Sequence, residues 1–192
     1  MFQIRDRTTY YNLVVPGVLH MADHKLKVAT EWGAKNTKAK FRVQGRDLAM
    51  VAKDLSSREE WGDFKGSFTH KWKGDAHGNA LSVIVSPTFT IKMPTWRGYR
   101  NQPQVCKDEW DRMWVALKKH EQEHQRIFES GITKLVHDLE ALEAPTGTDV
   151  DNLAKEAKST NQAKHDAFDK ETDNGASRGV ELNITQECRS KS

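Results

Sequence analysis

The sequence predicts an α+β protein, with a small, largely antiparallel sheet and a short helix packed on one long helix and a second helix. Three observations carry this. Runs of β-branched and aromatic residues fill the first half of the chain, and part of that half alternates with the period of a strand. The apolar period changes to that of a helix at Asp108, and no proline interrupts the chain from there to Pro145.

Taken in order, "YYNLVV" (10–15) and "KFRV" (40–43) have strand composition. "GRDLAMVAKDLSS" (45–57) places Leu48, Val51, Ala52 and Leu55 at helical spacing, with Asp47 positioned as a cap. Phe68, His70 and Trp72 then alternate with Thr69 and Lys71. "GDAHGN" (74–79) reads as a turn, and the β-branched run from Leu81 to Ile91 completes a hairpin. From Asp108, apolar residues at 110, 113, 114, 117, 127, 128, 135, 139 and 142 draw one stripe along a long amphipathic helix, and Asp108 with Asp111 resembles its N-terminal cap. "EAPTGT" (143–148) breaks it. "DVDNLAKEAKSTNQAKHDAFDK" (149–170) supplies a more polar helix that closes an αα-hairpin, and the tail from Thr172 is irregular.

Composition narrows the function classes. The hydrophobic fraction of 36% is low, but six Trp and seven Phe furnish a core for one domain. A net charge of +3, with acidic and basic residues interleaved, argues against a nucleic-acid binder, and "KNTKAKFR" (35–42) reads as a solvated loop. Two cysteines, Cys106 and Cys188, support neither a disulfide framework nor a Cys-rich zinc module, and whether they pair is left open. No apolar run is long enough for a membrane span, and the N-terminus lacks the shape of a signal peptide.

The long helix carries the chemistry. Its stripe passes Met113 and Leu117 and continues through His120, Glu121 and His124 before reaching Phe128. Two imidazoles and a carboxylate on an inward seam cost several kcal/mol if they lack partners, so the pattern calls for a compensating interaction. Residues four apart on a helix let two imidazole nitrogens converge on one ion, and the intervening carboxylate can reach a water beside it. This H-E-x-x-H arrangement suits hydrolysis by a zinc-activated water, with His120 and His124 as metal ligands and Glu121 as general base and later acid.

The surroundings add a resemblance. "WDRMWVALKKHEQEH" (110–124), "MPTW" (93–96) and "FDKETDNGASRG" (168–179) resemble, in order, three segments of a bacterial family of predicted secreted zinc-dependent proteases. The resemblance covers roughly residues 39–182. It implies a zincin-like metallopeptidase domain there, a β-rich N-terminal extension (1–38) packed on it and a flexible tail (183–192). It also implies a peptide or protein substrate and a secreted or periplasmic location, with a cytoplasmic variant left open because this chain shows no leader.

Two departures stand out. Glu123 replaces the glycine that precedes the second histidine in the family, at a position expected to face outward. Asn174 replaces the downstream histidine that the resemblance suggests as a further ligand. Asn is a poor zinc ligand, so either Asp173 beside it takes the role, or another residue does, or the metal is held weakly; Asp173 is assigned as third ligand, Asn174 as a hydrogen-bonding neighbour, and Asp169 as ligand, hydrogen-bonding neighbour or cap. Gly175 and Gly179 are expected to let this segment turn back over the long helix.

Other groups carry weaker signals. His137 points away from the site, Glu156 reads as a solvated helix residue, and His77 and His165 have no sequence reason to converge there. His70 and Tyr99 are candidate transition-state donors. The alternative reading is an inactive zincin-like binding domain that keeps a structural or vestigial metal site.

Overall fold

A computed structural model describes residues 25–189, and the strand expected at 10–15 lies outside them. The elements are β1 (Lys27–Thr30), β2 (Lys35–Val43), α1 (Leu48–Ser56), β3 (Asp63–Gly74), β4 (Ala80–Trp96), α2 (Gln104–Glu140) and α3 (Gly147–Thr172), with short 3-10 turns before α2 and in the tail. The class is α+β, as expected.

Strand β4 organises the sheet. Every second residue from Val83 to Met93 is buried, which is the alternation of a strand with one covered face. Along one edge it pairs antiparallel with β3, from Asp63 opposite Lys92 to Gly74 opposite Ala80. Along the other, β1 (Lys27 opposite Ser82) and β2 (Lys35 opposite Phe89) follow one another, both parallel to it. The sheet is therefore mixed rather than largely antiparallel. Parallel pairing needs a crossover between the paired strands, and α1 with β3 provides it between β2 and β4. The basic run 35–42 belongs to β2 and is not a loop, because it completes the ladder along β4.

Local chemistry accounts for the turns and caps. The Asp47 carboxylate accepts the Met50 N–H at 2.8 Å and starts α1, whose Leu48, Val51 and Leu55 are buried. In the hairpin turn, Asp75 accepts the N–H groups of His77 and Asn79, and Gly78 takes φ +85°. Helix α2 begins at Gln104, a turn before the expected cap. Pro103, with its fixed φ, starts it there, while Asp108 and Asp111 bond instead to Gln104 and Tyr99. Thr146 and Asp149 form a reciprocal capping box at the head of α3.

The two long helices form the expected αα-hairpin. Their contact depends on Gly131, where an added Cβ would lie 2.9 Å from the Asn161 amide. A buried disulfide between Cys106 and Cys188 fastens the tail to the first turn of α2. Among the described residues, no helix is long and apolar enough to cross a membrane.

Candidate metal centre

The buried seam of α2 runs Met113, Leu117, His120, Glu121, His124, Phe128, so the polar triplet sits where the helix meets the rest of the molecule. His120 is 7% exposed, Glu121 4% and His124 8%. They open onto a cleft of ≈ 840 Å³ bordered by the start of β3, α2, α3 and the segment after α3.

Three atoms converge there. His120 Nε2 and His124 Nε2 lie 3.2 Å apart, and Asp169 Oδ1, from the last turns of α3, is 3.3 and 2.9 Å from them. Tetrahedral ligands at the usual zinc distances are about 3.3 Å from one another, so this triangle has the dimensions of one face of such a site. Among the described residues, this is the group of histidine and carboxylate side chains that can hold a metal ion.

The electrostatics agree with a cation. Burial lowers the proton affinity of His120 and His124, and burial with the neighbouring His124 pushes His165 down to about 4, so these imidazoles stay neutral at neutral pH with lone pairs to offer. Glu121 is pushed up to about 8, by burial first and then by the charges of Glu60, Asp63 and Asp169. A divalent charge beside it would reverse that push. His120 Nδ1 is buried without a hydrogen-bond partner. The ring is held by stacking on Phe168, at 5.0 Å between centroids, and by Gly175, where an added Cβ would lie 3.2 Å from Nδ1. Packing, not a hydrogen bond, therefore aims His120 Nε2 at His124 and Asp169, and two imidazole nitrogens with a carboxylate oxygen at these distances are a donor set that fits a zinc ion.

Glu121 is held from the sheet side. The Phe64 N–H donates to its carboxylate, and an added Cβ at Gly62 would collide with Oε1, so only glycine allows this approach. The segment leading into β3 thus fixes the carboxylate that α2 presents.

The third position differs from the expected one. Asp173 ends α3 in the left-handed conformation, with φ +50°, and its exposed side chain lines the cleft outside the three-atom cluster; Asn174, also at φ +50°, does the same. Asp169, one turn earlier, keeps helical geometry and points at the histidines. It accompanies His165, four residues before it on the same face. The segment itself does fold back as expected. Gly175 and Gly179 take φ +88° and +89°, and Arg112 of α2 donates to the Gly179 and Glu181 carbonyls.

Other candidates fall elsewhere. Tyr99 donates to Asp111 at 2.6 Å, and His70 pairs with Asp151 at 2.7 Å, near the opposite end of α3 from Asp169. Glu156 borders a separate hollow between α2 and α3, and exposed His137 sits beside Asp138. Glu123 is partly exposed and pairs with Arg126. Sequence reasoning missed His165, whose Nδ1 is 2.8 Å from His124 Nδ1, and the β3 segment that seats Glu121. The H-x-x-x-D spacing of His165 and Asp169, on the helix predicted to pair with the H-E-x-x-H helix, was the available signal.

Fold and site together define an α+β chain with a two-histidine, one-carboxylate centre on a helical hairpin. The chain belongs to a family described as bacterial protein of unknown function (DUF922), whose family model matches residues 38–176. No curated protein matches it, and neither does any solved structure.

Proposed function

We propose that this chain is a zinc-dependent metallopeptidase of zincin-like type, with His120, His124 and Asp169 as ligands and Glu121 as general base. The observation that carries this reading is the buried Glu121 beside three converging donor atoms at the wall of an open cleft. A structural metal site has no need of a fourth side chain, an unligated carboxylate kept out of water; proton transfer does.

When bound, zinc would supply Lewis acidity, polarising a substrate carbonyl and lowering the pKa of a coordinated water to about 7. The protein's own residues do the rest. Glu121 accepts the proton of the attacking water and delivers it to the departing amine. The Phe64 N–H and Gly62 keep its carboxylate in place during both transfers. The aromatic wall of Phe64 and Phe168 excludes bulk water from the imidazoles. A cleft of ≈ 840 Å³ is open enough for a stretch of polypeptide. The Cys106–Cys188 disulfide is the kind that persists in oxidising compartments, which supports an exported protein.

Glu121→Gln tests the mechanism. The amide keeps the shape but cannot take the proton, so hydrolysis of an unfolded polypeptide by the zinc-loaded protein should fall by roughly 10²-fold or more while zinc content is unchanged. Equal hydrolysis by wild type and Glu121→Gln would contradict it. Zinc binding with no hydrolysis by either protein would favour the non-catalytic reading, in which Asp169 and His124, at ion-pair distance, form a structural centre.

A further inference from the structure

Helix α3 reaches both nitrogens of His124. Asp169 Oδ1 is 2.9 Å from Nε2, and His165 Nδ1, one turn earlier, is 2.8 Å from Nδ1. Two ring nitrogens approach this closely only with a proton between them, because two bare lone pairs repel. The other end of the His124 ring decides which ring carries it. For Nε2 to offer a lone pair to the cluster, the proton of the neutral ring must sit on Nδ1, and His165 Nδ1 must accept it.

We propose that His165 is a positioning residue: by accepting the His124 Nδ1–H, it locks the tautomer and ring orientation that turn His124 Nε2 toward His120 and Asp169. This rests on the metal centre proposed above. The His165 ring is itself held for the task, stacked on Phe64 at 5.5 Å between centroids and against His124 at 5.0 Å. His120 provides the contrast. Its Nδ1 has no hydrogen-bond partner, and packing against Phe168 and Gly175 orients that ring instead. The two imidazoles are thus fixed by different means, and only His124 depends on a hydrogen bond. Outer hydrogen-bond partners of this kind raise ligand basicity as well as setting direction, and their loss commonly weakens metal binding 10- to 100-fold.

The test compares His165→Leu, which removes the acceptor, with His165→Asn, which keeps an acceptor oxygen one bond from Cγ, where Nδ1 now lies. Zinc dissociation constants would be measured at neutral pH by competition with a chromophoric chelator. Thermal unfolding of each metal-free protein would report on folding, and ¹⁵N imidazole NMR of zinc-loaded wild type would locate the His124 proton. The expected result is a 10- to 100-fold weaker zinc affinity for His165→Leu, most of it restored in His165→Asn, with the His124 proton on Nδ1. Zinc affinity in His165→Leu equal to wild type, an Asn variant as weak as Leu, or a His124 proton on Nε2 would each overturn the role of His165. If His165→Leu fails to fold, the Asn variant and the wild-type NMR decide. Wild type that binds no zinc would defeat the metal centre itself, a result distinct from tight wild-type binding that is indifferent to His165.

Discussion

Asp169 and Asp173 are the same residue type one helical turn apart, yet they face different tasks. Asp169 is the last acidic side chain on the inner face of α3 before the backbone turns left-handed at Asp173, and that change of φ carries the Asp173 carboxylate out of line with the histidines. Asp169→Ala should therefore weaken zinc binding by well over tenfold, since it removes a proposed ligand, whereas Asp173→Ala should leave it nearly unchanged; chelator competition on the two variants distinguishes them. A strong loss in Asp173→Ala with little in Asp169→Ala would return the third position to Asp173. His120, Glu121 and His124 were legible because three adjacent polar positions interrupt an otherwise apolar stripe. Asp169 was weighed as ligand, neighbour or cap and ranked behind Asp173, because sequence order does not show where a helix ends. The left-handed turn that disqualifies Asp173 falls on two non-glycine residues.

At the scale of elements, the centre exists because α2 and α3 come close enough for four side chains, two from each helix, to meet. Gly131 permits that approach, with the Asn161 amide where a side chain would otherwise be. Gly131→Val should push the helices apart, lowering stability by about 1–3 kcal/mol, and weaken zinc binding although the substitution touches no ligand. Unfolding curves and zinc titration of this variant check both effects, and unchanged zinc affinity would contradict the dependence on helix spacing. Helices α1 and α2 were readable from their periods, α3 from the polar stretch after the break at 143–148, and the β3–β4 hairpin from its alternation and turn residues. Strand direction at the other edge of β4 was not. Parallel pairing of β1 and β2 is a long-range choice that leaves no local pattern, and although 40–43 had strand composition, the charged residues of 35–39 hid the first half of β2, whose support comes from β4.

For the whole molecule, the site makes metal-free stability depend on pH in both directions. Glu121 binds its proton more tightly in the folded chain, so its contribution is full below its ordinary value of 4.5 and is lost as pH rises through about 8. His120, His124 and His165 bind protons less tightly when folded. Their contribution is full above 6.5 and is lost as pH falls, for His165 down to about 4. The metal-free protein should thus show its highest melting temperature near pH 6.5, and zinc should raise that temperature more at pH 8 than at pH 5.5, because binding requires neutral imidazoles and displaces protons. A melting temperature that rises steadily from pH 6.5 to 8 without metal would contradict the burial of Glu121. The most direct test of the account is the zinc content of the full chain prepared at neutral pH without chelator, measured beside His120→Ala, His124→Ala and Asp169→Ala. Wild-type protein should carry close to one zinc per chain and all three variants should lose it; wild-type protein without near-stoichiometric zinc, or variants that retain it, would contradict the metal centre.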